Sequence, residues 1–125
     1  MDENKLAELG DKVFAILGPG YTECVYHNAF LILLRKHGIP YETERIIPVV
    51  FEGHTISSVR ADIIVDNSII IELKATKVSN WASCAEQQVK RYMKLLNIKK
   101  GIIMNFGGDT FYSSSFSSDE PQLLS

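Results

Sequence analysis

Three residues in this sequence have the types and spacing to do chemistry: Asp62, Glu72 and Lys74. They lie in the stretch from Arg60 to Lys74, RADIIVDNSIIIELK, which reads as two short strands joined by a tight turn. Successive side chains of a strand point to opposite faces, so Ile69, Ile71 and Leu73 share one face and Ile70, Glu72 and Lys74 the other. An acid and an amine therefore point the same way, with a second acid on the neighbouring strand. An Asp followed by Glu-x-Lys on the next strand is the set required for metal-dependent hydrolysis of a phosphodiester. Magnesium takes hard oxygen ligands, usually one or two of them carboxylates, with water and phosphate oxygens completing the shell. Asp62 and Glu72 suit that role if they face each other, and the backbone carbonyl of Leu73 could add a third oxygen. Lys74 could then orient the attacking water or stabilise charge developing on the phosphate. Magnesium or manganese is the expected cofactor.

Register sets a condition on this reading. In a hairpin with a two-residue loop, Asp62 and Glu72 would lie on opposite faces. A three-residue loop at Asp66-Asn67-Ser68 places Asp62 directly opposite Glu72, and a bulge would also restore the parity. The plainer reading is a half-exposed strand that alternates apolar with charged residues, and Glu-x-Lys by itself favours it. Against it, Glu72 and Lys74 follow the most apolar stretch of the chain, Asp62 precedes them on an adjacent strand, and Gln88 and Tyr92 fall on the apolar face of the next helix.

The elements that must hold these residues can be read in order. Leu6, Leu9, Val13, Ile16 and Leu17 form a helical stripe over residues 4–17, which Gly18-Pro19-Gly20 stops. That glycine-rich stretch follows a helix rather than a strand, so it is not a phosphate-binding loop. A second helix is expected from Thr22, as N-cap, to about His37. Its apolar residues surround most of its circumference, which predicts a central, covered helix. Glu23, Tyr26, His27, Phe30 and Leu34 share one face, so Glu23 is expected to point inward. Its position in the first turn also suits the helix dipole, which is a sufficient role for an acid there.

Residues 41–51 read as an extended strand in which Pro48 implies an edge or a bulge. Glu52-Gly53 is a turn, and strands follow over about 55–65 and 68–75 in an antiparallel meander. A third helix covers 81–96, capped by Ser79 or Asn80, with Trp81, Cys84, Ala85, Gln88, Tyr92, Leu95 and Leu96 on one face. A covered strand is expected over 101–105. Gly107-Gly108 then turns the chain, and Thr110 to Ser114 could form a last strand. The order is α-α-β-β-β-α-β with a possible final β, and the helix between the third and fourth strands allows those two to run parallel. Residues 1–115 read as one α/β domain, and 116–125 as a mobile tail.

The 125 residues are 46% hydrophobic and carry a net charge of −2, which suffices for a core and excludes polyanion binding by bulk charge. Nucleic-acid contact would need a local basic patch. Lys90, Arg91, Lys94, Lys99 and Lys100 form the densest one, and Lys77 lies just beyond Lys74. Such a cluster is usually a solvated face, but it could also track phosphates. Cys24 and Cys84 have no metal-type spacing and read as free buried thiols in a reducing compartment. His27, His37 and His54 have no ligand spacing either. No apolar run is long enough to span a membrane. The expectation is a soluble intracellular protein, in cytoplasm or nucleus.

Gly20-Tyr21-Thr22-Glu23-Cys24-Val25-Tyr26 fits the GxxExxY signature. Arg60-Ala61-Asp62, Ile71-Glu72-Leu73-Lys74, Gln88 with Tyr92, and Ile103-Met104-Asn105-Phe106-Gly107 follow in the order of the later blocks of the family named for it. The chain resembles that family over nearly all of residues 4–108. The family is placed in the PD-(D/E)xK nuclease-like superfamily, with restriction endonucleases, RecB-like nucleases and lambda exonuclease. Ala61 stands where the superfamily name has Pro. The resemblance implies a restriction-endonuclease-like fold: a mixed sheet of four to five strands flanked by helices. It also implies a magnesium-dependent nuclease whose site is built on Asp62, Glu72 and Lys74. Glu23 would be the acid from the preceding helix, assisting the metal shell or positioning water. Gln88 and Tyr92 would match a Gln-xxx-Tyr element that contacts substrate, although they could equally be hydrogen-bonded core residues. The expected partner is nucleic acid, DNA in preference to RNA, with Lys77, Lys90, Arg91 and Lys94 as candidate contacts. The small size leaves room for a homodimer. The alternative is a nuclease-like module that binds nucleic acid or protein without cleaving.

Overall fold

The computed structural model describes residues 2–118. Three helices, α1 (Glu3–Leu17), α2 (Glu23–Lys36) and α3 (Trp81–Leu96), flank five strands: β1 (Tyr41–Phe51), β2 (His54–Val65), β3 (Ile69–Lys74), β4 (Lys100–Asn105) and β5 (Tyr112–Ser117). The strands form one sheet in the order β1-β2-β3-β4-β5. Every pair is antiparallel except β3–β4, which runs parallel and is bridged by α3.

Alternation along the two central strands divides the interior into two cores. Ile69, Ile71 and Leu73 of β3 and Ile102 and Met104 of β4 pack with Leu6, Leu9 and Val13 of α1 and Tyr26, Phe30 and Leu34 of α2. Ile70 and Ile103 face the other way, onto Ala85, Val89, Tyr92 and Met93 of α3. Glu72 and Lys74 keep step with Ile70, so the candidate site lies on the α3 side of the sheet.

Several local expectations need correction. α2 buries only Tyr26, Phe30, Leu31 and Leu34, while Val25 and Ile32, one above the other on the outer face, are exposed. Sheet and α1 cover one side of this helix, so it is peripheral. On α3, Cys84 and Leu95 are exposed, and Val89 and Met93 take the buried face with Ala85 and Tyr92. The helix is rotated toward Gly101, where any Cβ would collide with the Val89 and Met93 side chains, so the missing side chain lets α3 sit close on β4. Both cysteines are free and exposed rather than buried. β5 begins and ends later than expected: Phe116 and Ser117, assigned to the tail, are in the strand, and Phe116 packs against the α3-side core. The rest of the expected tail, from residue 119 on, lies outside the described residues.

Pro48 sits on β1, an edge strand, where its missing N–H removes no ladder bond on the open side. The register slips between Val49 and Val50. Among the described residues, no helix is long and apolar enough to cross a membrane.

Candidate active site

The turn from β2 to β3 meets the condition that register imposed. Asp66 and Asn67 both adopt φ near +51°, a conformation these two residue types tolerate, and the Ser68 N–H closes the turn on the Val65 carbonyl at 2.9 Å. Val65 therefore pairs with Ile69, Ile64 with Ile70 and Ile63 with Ile71. The next step of that register sets Asp62 opposite Glu72. The ladder opens at that step, and the Leu73 N–H donates to the Asp62 carboxylate at 3.1 Å. On the other flank of Asp62 the β1 ladder runs from Thr43–Ile63 to Arg45–Ala61, and the intervening Glu44 has φ +53°. Strand alternation also breaks here, because Ala61 and Ile64 both pack on the α3-side core. Asp62 thus occupies an irregularity where the sheet splits.

Glu72 is only 3% exposed. One carboxylate oxygen, Oε2, lies 3.7 Å from the Lys74 ammonium. The other, Oε1, is buried without a hydrogen-bond partner. Burial, then the neighbouring Asp62 charge, pushes the Glu72 carboxyl up to about 8, against the pull of Lys74. A buried acid compensated only in part, as here, is costly, and such groups gather at functional sites. Lys74 keeps 31% of its side chain in solvent, so the site opens outward at that end.

Glu23 approaches from the first turn of α2. It is exposed at the rim rather than turned inward as expected, yet partial desolvation, then Asp62, raises its carboxyl above the ordinary value. The helix places Glu23 beside Asp62 because Tyr26 anchors its entry. The Tyr26 hydroxyl donates to the Gly18 carbonyl at 2.6 Å and accepts from the Tyr21 N–H at 3.1 Å. Its ring is fully buried and stacks on Phe106 at 4.7 Å. In the Gly20–Tyr26 motif the tyrosine is therefore the tether, and the acid one turn earlier is what it positions.

From α3, the Gln88 amide donates to the Tyr92 hydroxyl at 2.7 Å. Burial raises the Tyr92 phenol, opposed by that hydrogen bond, and Glu72 and Asp62 add to the rise, so this pair borders the carboxylates. Lys77 is exposed on the loop after β3. Lys90 is engaged elsewhere: its ammonium lies 2.7 Å from Glu86 and 5.4 Å from the Phe116 ring centre, toward β5. Arg91 and Lys94 are exposed on α3. The structure brings Asp62, Glu72, Lys74, Glu23 and the Gln88–Tyr92 pair together, and engages Lys90 with Glu86 and Phe116.

In the sequence Asn105 belongs to the Ile103–Gly107 block and has no evident role of its own. It is 4% exposed and directly opposite Lys74 in the β3–β4 ladder. A polar residue closing the apolar run IIMN was the available signal.

Among the described residues, no three His, Cys, Asp or Glu side chains converge on one ion. Glu23 therefore does not complete a three-carboxylate cage. The donors nonetheless fit magnesium or manganese, which need only one or two protein carboxylates. Asp62 and Glu72 are two hard oxygen donors side by side, and Glu72 Oε1 is left without a protein partner.

The fold agrees with comparison to known proteins. The family model for the PD-(D/E)XK nuclease superfamily matches residues 3–114. The chain belongs to the PD-(D/E)XK nuclease superfamily. No curated protein sequence matches it. Among solved structures it is similar to SSO0001, with a TM-score of 0.59 and 21% identity over 78% of this chain and 50% of that one. It is also similar to an alkaline exonuclease from Laribacter hongkongensis, with a TM-score of 0.51 and 12% identity over 94% of this chain and 69% of that one. At these identities the likeness is one of fold, and the chain spans only half the length of SSO0001. The superfamily's mixed sheet with flanking helices is the architecture described above.

Proposed function

We propose that this domain hydrolyses phosphodiester bonds of nucleic acid with magnesium or manganese, DNA being the favoured substrate, and that it is a GxxExxY-type member of its superfamily. The observation that carries the reading is Glu72: a buried carboxyl with one oxygen unpartnered, its proton affinity raised by burial and then by Asp62, with an ammonium beside it. A core without function would avoid such an arrangement.

Asp62 and Glu72 would hold the ion, with the Leu73 carbonyl as a third oxygen donor. When bound, a divalent ion supplies positive charge at the phosphate and makes a nearby water more acidic. Lys74 keeps its ammonium at the open end of the site, where it orients the attacking water and stabilises charge gathering on the phosphate oxygens. Glu23, protonated more readily than an ordinary carboxylate, accepts a hydrogen bond from water at the rim. Gln88 and Tyr92 contact the substrate at the α3 wall, and Lys77 on the adjoining loop offers a phosphate contact. The test is cleavage of labelled single- and double-stranded DNA and RNA with magnesium, manganese or chelator. Metal-dependent cutting that Asp62→Asn abolishes is the expected result. Binding without cutting under every metal would instead establish the inert module, in which Lys74 serves only to neutralise Glu72.

A further inference from the structure

The chain leaves β3 at Lys74 and turns at once into the loop that leads to α3. What holds that exit is one buried side chain of β4. The Asn105 amide oxygen accepts from the Thr76 N–H at 3.0 Å and from the Gly107 N–H at 3.0 Å. Its amide nitrogen donates to the Thr76 carbonyl at 3.0 Å. Both backbone polar groups of Thr76 are thus satisfied by a single residue. Alongside, the Phe106 N–H donates to the Lys74 carbonyl at 2.9 Å. Gly107 fits against Ala75 and Thr76 so closely that any Cβ would overlap their backbone.

A buried asparagine gains most when its hydrogen-bonding capacity is used, and here two bonds hold one short segment at Thr76 while a third holds Gly107 against it. That segment begins one residue after Lys74, which sits opposite Asn105 in the ladder. Fixing Thr76 fixes the backbone on the C-terminal side of Lys74, and β3 fixes it on the other. The ammonium is left with its own rotamers as its only freedom. We propose that Asn105 is a positioning residue for Lys74, its amide and the bare backbone of Gly107 together clasping Ala75–Thr76 so that Lys74 stands beside Glu72. The catalytic consequence rests on the nuclease reading given above. The placement of Lys74 does not.

The experiment follows Lys74 itself. Lysines of the full chain are reductively methylated with a carbon-13 label and observed by NMR, the Lys74 signal being assigned with Lys74→Arg. In Asn105→Ala the fold persists and the Lys74 signal moves, while the signals of Lys90 and Lys94 stay put. In parallel, kcat for metal-dependent cleavage falls by up to about a hundredfold, the cost of a misplacement near 1 Å, with KM unchanged. Gly107→Ala, which pushes the same segment while keeping the Asn105 side chain, gives the same signature and decides the matter if Asn105→Ala does not fold. A Lys74 signal that is unchanged in a folded variant overturns the proposal, whatever the cleavage result. A wild type that cuts nothing, with a Lys74 signal that still moves, removes the nuclease reading and leaves the clasp standing.

Discussion

Replacing Glu72 by Gln should make the metal-free protein more stable at alkaline pH and leave it nearly unchanged near pH 5. The Glu72 carboxyl is pushed from an ordinary 4.5 to about 8 by burial and by Asp62. Above pH 4.5 an unfolded chain releases this proton, whereas the folded protein keeps it until about pH 8. The folded state therefore binds more protons through that window, and stability falls as pH rises, levelling off above 8. Each tenfold in proton affinity is worth about 1.4 kcal/mol, so the ionised Glu72 costs the fold at most about 5 kcal/mol. Glutamine is neutral throughout and close in shape to the protonated acid, so it removes that slope. In a chain of this length 1 kcal/mol moves Tm by about 3–6 °C, so a difference of ten degrees or more at pH 9 is within reach. The assay is thermal unfolding of wild type and Glu72→Gln from pH 5 to pH 9 in chelator. Taking the difference between the two cancels the titrating groups that do not neighbour Glu72. Manganese should then raise the wild-type Tm more at pH 8.5 than at pH 6, because ion binding draws on the deprotonated acid. Parallel curves for the two proteins across the whole range would refute the reasoning, since they would mean that Glu72 ionises as it does in water.

Asp62→Asn should keep the Leu73 N–H acceptor yet weaken manganese binding measured by calorimetry, because two charged ligands become one; equal affinity would remove Asp62 as a ligand. Lys74→Met should stay folded and bind manganese, but lose cleavage by about a hundred- to thousandfold, or about 3–4 kcal/mol of barrier, in turnover assays at equal folded concentration. Tyr26→Phe removes the hydroxyl that holds Gly18 and Tyr21, and should cost about 1–3 kcal/mol in urea unfolding, with the α2 entry loosened. Lys90→Glu with Lys94→Glu should leave nucleic-acid affinity and its salt dependence unchanged in a binding titration, because Lys90 is already paired with Glu86 on the side of β5; a reduced salt slope would return this face to the substrate path.

Local pattern carried the sequence a long way. Period-two alternation through residues 69–74 placed Glu72 and Lys74 together, and parity showed that Asp62 would join them only across a three-residue loop or a bulge; the turn in the structure, with Val65 paired to Ile69, met that condition. The element order was legible from pattern and turn residues; it allowed a parallel β3–β4 pair and left Pro48 on an edge or at a bulge, and the sheet decided both. Helical wheels carried less. They set Cys84 and Leu95 in the core, whereas α3 is rotated so that Val89 and Met93 meet Gly101, a contact between residues far apart in the chain. They also turned Glu23 inward and α2 into a covered helix, because periodicity identifies an apolar face without saying what is present to cover it. The electrostatics were beyond sequence altogether. That Glu72 is buried with one oxygen orphaned, that Glu23 stands at the rim beside Asp62, and that Asn105 holds the exit of β3 are each decided by groups from separate strands and helices meeting in space. Residue types and spacing determined which side chains could do chemistry here; only the packing of α2, β2, β3, β4 and α3 around one end of the sheet decided their solvation and their neighbours, and hence their charge.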